Sequence, residues 1–304
     1  MYEPATRRLH ARIALLLIPI ACQFLSCSAR AEWFLDASLG LDADSNVPRA
    51  QLDSDIEDDG VLMAGVATGY FFQLTDRTGL TLGAEFGADK FFEFEGLDNF
   101  SAGLAAAVRT KLGVGVGAPW IRAALSVAHD DYDHALRDAW HYSASISAGV
   151  RIGTRWSVQL GYLHERRRAD EVRDIPFLRD NFGIDGNAWD IDADNVTASG
   201  VYDVSERWSV LFGYARRMGQ VTSTTRINNE IFQASDAIAP DEVYGIDRFA
   251  YRVDANTNIF SLGLSRAMGD HVSINLGYDY QDSSAEYGLS YANHIGHITV
   301  LFSN

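Results

Sequence analysis

The stretch Arg207-Trp208-Ser209-Val210-Leu211-Phe212-Gly213-Tyr214 decides the fold. It recurs as Arg155-Trp156-Ser157-Val158-Gln159-Leu160-Gly161-Tyr162 and, more loosely, as His271-Val272-Ser273-Ile274-Asn275-Leu276-Gly277-Tyr278. In each copy one parity is large and apolar (Trp208, Val210, Phe212 and Tyr214 in the first), while the other is mostly small or polar. A period of two is a β-strand with two unlike faces. An apolar face with an aromatic near each end suits a strand that crosses a membrane as one stave of a barrel.

The same alternation predicts strands over 33–42, 61–74, 80–92, 100–110, 120–131, 140–152, 189–204, 251–267 and 291–302. With the three copies this makes about 12 strands. Short connections (75–79, 111–118, 153–154, 205–206, 268–270) alternate with long or polar ones (43–59, 93–97, 132–137, 169–187, 222–249, 282–288). That rhythm predicts an all-β, transmembrane, antiparallel up-and-down β-barrel with short periplasmic turns and long extracellular loops. Loops 169–187 and 222–249 have room for a further hairpin. A secreted β-sandwich also alternates, but it rarely runs strands of ten or more residues in regular succession. Aromatics near strand ends, Trp33, Trp120, Trp140, Trp156, Trp208, Tyr162, Tyr214 and Tyr278, are the expected membrane-interface residues.

The first residues belong to a different grammar. Arg7, Arg8 and Arg12 precede the apolar run 13–25, and Ala29-Arg30-Ala31 has the small-x-small form of a cleavage site. Residues 1–31 read as a secretory signal peptide, leaving 32–304 as the barrel in the outer membrane of a Gram-negative cell. The whole chain carries a net charge of −16; losing four Arg and one Glu leaves 21 basic against 40 acidic residues. Such acidity argues against nucleic acid as a partner. Cys22 and Cys27 leave with the leader, so no disulfide is expected. A lipoprotein reading through either cysteine fits less well, because Phe24-Leu25-Ser26 is a poor acylation context.

Ala37-Ser38-Leu39-Gly40-Leu41-Asp42-Ala43-Asp44-Ser45-Asn46-Val47, following a signal peptide, resembles the opening of uncharacterised proteobacterial outer-membrane barrels of porin type. The repeated Arg-Trp-Ser-Val-x-x-Gly-Tyr hairpin, with Arg166-Arg167-Arg168-Ala169-Asp170 at a strand's outer end, is similar to the barrel of surface lipoprotein assembly modifiers. Those proteins carry a helical-repeat domain that this sequence lacks, so their activity does not transfer. Ile298, Val300 and Phe302 resemble the signal by which the barrel assembly machinery inserts such proteins, although the chain ends in Ser303-Asn304. Outer-membrane lipid and lipopolysaccharide are the implied surroundings.

The chemistry is expected inside. Glu85, Asp89, Arg109, Arg122, Asp130, Arg151 and Arg217 fall on the inward parity, where opposed charges can set a transverse field that orients solutes. With many inward Gly, Ala and Ser residues, twelve strands are expected to enclose water. The leading reading is a narrow porin-like channel for small hydrophilic solutes. The alternative is a structural or surface-interaction barrel with a plugged lumen and no transport. His141-x-Ser143 suggests a lipid hydrolase pair, but both residues face inward, away from lipid, so no enzyme is expected. Neither Asp42-x-Asp44-x-Asn46 nor Asp190-x-Asp192-x-Asp194 has the glycine a calcium loop needs at its sixth position. Asp53, Asp55, Glu57, Asp58 and Asp59 read first as a solvated acidic loop and second as a collector of divalent cations. No metal site and no cofactor is expected.

Overall fold

The computed structural model describes residues 31–171, 176–184 and 187–304. Thirteen strands among these residues form one antiparallel sheet. They are β1 (Ala31–Asp44), β2 (Asp59–Gln73), β3 (Thr78–Phe91), β4 (Asn99–Lys111), β5 (Trp120–Tyr132), β6 (Ala139–Ile152) and β7 (Trp156–Ala169). There follow β8 (Ile191–Asp203), β9 (Trp208–Thr225), β10 (Ser235–Pro240), β11 (Phe249–Ala267), β12 (Val272–Ala285) and β13 (Ser290–Ser303). Neighbours in sequence pair, except that β9 pairs with β11 instead of β10, and β13 returns to β1. The result is a closed twelve-strand barrel, with β10 laid beside the upper end of β11 as a thirteenth strand outside the ring. Loop 222–249 therefore does contain an extra strand, but it adds no stave. Closure pairs each of the twelve wall strands on both sides, as a wall inside lipid requires. The seam runs from Asp36↔Ser303 to Asp44↔Ile295, and Asn304 adds two bonds to the Leu35 backbone.

Tight turns occupy one end, called here the turn end. At one of them the Ser205 hydroxyl accepts from the Arg207 and Trp208 amides. Long connections occupy the other, the loop end, and carry two short helices, α1 (Pro176–Phe182) and α2 (Asn229–Ala234). The Asn228 side chain caps α2 by accepting from the Glu230 amide. The expected leader, 1–31, lies outside the described residues except for Ala31, which opens β1 opposite Phe72. Cys22 and Cys27 lie outside them as well.

The distribution of apolar side chains follows from this closure. Leu104, Leu125 and Leu160 are 63%, 63% and 66% exposed on the outer wall, with Val66, Phe86, Ile146, Leu262 and Leu276 beside them in the same condition. A continuous greasy belt of that extent is untenable in water, where burial is worth about 25 cal/mol per Å². Lipid tails are its solvent, and the barrel spans a membrane. The packed apolar cores sit at the loop end instead. One gathers Ile184, Val221, Ile231, Ile238, Tyr251 and Val253, and the other Leu136, Ala188, Trp189, Ala239 and Ala250.

Candidate functional site

The loops fold together over the mouth of the barrel. Asp55, in the β1–β2 loop, is 1% exposed and takes both Arg226 and Arg248 at 2.8 Å. It also accepts from the Thr225 hydroxyl and the Arg226 amide. Burial alone would raise the Asp55 carboxyl, but these donors and the Arg248 charge outweigh it and hold the group below the usual range. The Thr224 amide and Ser223 hydroxyl donate to Pro48 and Arg49 carbonyls in the same loop. A β9–β11 segment reaches further across. The Tyr244 ring packs tilted against Phe94 of the β3–β4 loop, centroids 4.7 Å apart, and buried Asp241 pairs with Arg137 of the β5–β6 loop at 2.6 Å. Burial pushes the Tyr244 hydroxyl well above its ordinary value.

This assembly corrects the reading of the acidic stretch. Asp55 and Asp59 are both buried rather than solvated, and Asp59 accepts backbone N–H groups from Gly60, Phe92, Glu93 and Phe94. Glu57 pairs with Arg248. Among the described residues no group of three or more His, Cys, Asp or Glu could hold a metal ion.

Beneath the cap, in the upper lumen, lies a chamber of about 480 Å³. Asp89, Asp130 and Arg217, three residues expected to matter, line it together. One wall presents Asp42 and Asp44 from β1 and Asp89 from β3, while Asp130 enters from β5, beside the basic side. The facing wall presents Arg167 from β7, Arg217 from β9, Arg137 and Trp189. In a ring of twelve, β1 is diametrically opposite β7, and β3 is opposite β9. Arg217 bonds Glu165 at 2.9 Å, whereas Arg167 donates to the Arg137 carbonyl and lies over the Tyr132 ring. Asp89 accepts from Asn99 at 3.0 Å.

The remaining expected lumen residues sit apart from the chamber. Glu85 faces its neighbour Gly103 halfway along β3. Arg109 and Arg122 are direct cross-strand partners near the turn end, and Arg151 is there too, paired with Asp203 at 3.0 Å. Trp120 is not an interface residue. It shares the inward parity of Arg122 and stands opposite Gly149, with the Arg109 guanidinium 4.4 Å above its ring. Trp33, Trp140, Trp156, Trp208, Tyr162, Tyr214 and Tyr278 face outward. The three tyrosines direct their hydroxyls to Asp194, Asn258 and His294. Trp189, expected at the start of a strand, is instead 2% exposed in the cap, and β8 begins at Ile191. The Ser143 hydroxyl is bonded to Ser126 at 2.7 Å.

Sequence reasoning passed over Asp42, Glu165, Arg167 and His141 as chamber residues, although parity alone places each of them inward. It had no handle on Arg137, Trp189, Asp241 and Tyr244, which arrive from loops.

No protein-family model and no curated protein sequence matches the chain. Solved structures of outer-membrane barrels are similar in fold. The COG4313 outer membrane channel from Pseudomonas putida F1 superposes with a TM-score of 0.55 at 12% identity, over 90% of this chain and 95% of that one. A NanC porin structure matches with a TM-score of 0.47 at 9% identity, over 88% of this chain and 98% of that one. At such identities the likeness concerns architecture, and no sequence relative accompanies the resemblance to assembly modifiers. The chain thus has the fold of outer-membrane β-barrel channels.

Proposed function

We propose that the protein is a narrow porin-like channel of the Gram-negative outer membrane that passes small hydrophilic solutes. The observation that carries this reading is a wet inner wall. Glu85, Arg109, Arg122 and Ser199 point inward and are nevertheless exposed, while Gly65, Gly103, Ser126, Ser145, Gly161 and Gly213 around them contribute almost no bulk. An unfilled lumen of this kind holds water, and the charged chamber above it is the constriction where a solute would be selected. The loop end would then face outward and the turn end the periplasm. The outer belt of Trp and Tyr, with Arg166 and Arg168 above it, suits lipid and lipopolysaccharide headgroups. Insertion would proceed through the barrel assembly machinery.

One observation favours a second reading, a sealed barrel: the cap is latched through the buried Asp55. Liposome swelling separates the two. Purified protein in liposomes should admit glycine-sized and triose-sized solutes faster than disaccharides. Swelling no faster than in protein-free liposomes would favour the sealed barrel.

A further inference from the structure

Four carboxylates lining the chamber, three of them on the β1–β3 side, make no ion pair with a Lys or Arg among the described residues. They are Asp42, Asp44, Asp89 and Asp130, and the buried Asp42 Oδ1 has no hydrogen-bond partner among those residues either. The facing wall has the opposite deficit. Among the described residues the Trp189 indole N–H, on a side chain 2% exposed, has no acceptor; neither does Arg217 Nη1 nor Arg137 Nε. Glu165 and Asp241 engage the other faces of Arg217 and Arg137, while Arg167 donates to the Arg137 carbonyl and lies over the Tyr132 ring. Buried donors and acceptors left without partners cost free energy, and these belong to side chains that line one chamber.

We propose that this chamber binds small zwitterions. The solute's ammonium would sit against Asp42, Asp89 and their neighbours, and its carboxylate against Arg167, Arg217 and the Trp189 N–H. A solute of single charge satisfies one wall and leaves the other unpaired. The chamber's volume of about 480 Å³ accommodates an amino acid with water around it. The assignment rests on the channel reading for its physiological sense, but binding can be measured without transport.

The test is calorimetric titration of the detergent-solubilised full chain with 4-aminobutanoate, butylamine and butanoate, alongside liposome swelling with the same solutes. The three share a carbon chain and differ only in charge. The zwitterion should bind about tenfold or more tightly than either single-charge analogue. Asp42→Asn should weaken 4-aminobutanoate and leave butanoate unchanged or stronger, while Trp189→Phe should weaken 4-aminobutanoate and leave butylamine unchanged. Retention of the heat-modifiable folded band on gels shows that each variant still forms the barrel. Equal or tighter binding of butylamine, or no discrimination among the three, overturns the proposal even if the liposomes swell. Selective binding without swelling keeps the site and removes the channel reading.

Discussion

Asp55 and Arg248 meet at 2.8 Å with both side chains almost wholly buried, joining the β1–β2 loop to the approach of β11 across the barrel mouth. Breaking one side of a buried ion pair costs about 3–5 kcal/mol when the surviving charge is stranded. Here Arg248 keeps Glu57 at 3.2 Å and Arg226 keeps Asp247 at 3.0 Å, so the loss falls at or below the lower end of that range. Asp55→Asn should therefore loosen the cap while leaving the lipid-supported wall intact. Limited proteolysis should cut the 45–58 or 226–248 segment at least about tenfold faster than in the unaltered protein. Unchanged cleavage would show that the cap is held elsewhere.

The same carboxylate predicts a pH dependence. Its folded-state pKa lies below the ordinary value, so its contribution is complete above about pH 4 and is lost as pH falls through the folded value. The cap should resist protease equally at pH 7 and pH 5, then open below about pH 4. Acid-stable proteases report this, and Asp55→Asn should remove the step.

Six tryptophans divide by environment in a way that brominated lipid can read. Single-tryptophan variants retaining Trp33, Trp140, Trp156 or Trp208 should be quenched strongly. Variants retaining Trp120 or Trp189 should be quenched little, since one faces the lumen and the other lies inside the cap. Strong quenching of Trp120 would place its strand in the wrong register by one residue, which flips every side chain.

Gly219 marks where β9 leaves its pairing with β8 and continues upward beside β11 alone. Its φ of +137° is a conformation that residues with a Cβ rarely adopt, and a Cβ there would run into the Asp192 carbonyl. Gly219→Ala should cost about 1–3 kcal/mol and lower refolding yield in detergent. Gly296→Ala, where a Cβ meets nothing within 4 Å, is the matched control and should refold normally.

Arg109 and Arg122 stand directly opposite each other at the inner turn end, a like-charge pair that costs stability unless anions attend it. Arg122→Ser should shift the reversal potential toward cation preference under a salt gradient. No shift would mean that ions do not pass this region.

The wall was legible because a two-residue period leaves no freedom: once Trp208, Val210 and Phe212 face lipid, Ser209 and Gly213 must face in. Trp120 shows how that rule can be lost. Nearness to a strand end suggested the interface, yet it precedes outward Ile121 by one residue and so must point inward. The cap was illegible for a different reason. Asp55 looks like one of several solvated acids until Arg226 and Arg248, far along the chain, are folded onto it. Trp189 reads as the first residue of a strand until the loop before β8 tucks it beneath Arg137. Local periodicity carries no record of such long-range contacts.

The central claim is a water-filled path through the barrel, and planar-bilayer recording of the purified protein tests it most directly. Discrete, small conductance steps at neutral pH are expected, growing larger or more frequent with Asp55→Asn. A silent bilayer for both proteins, with insertion confirmed by flotation, would contradict it.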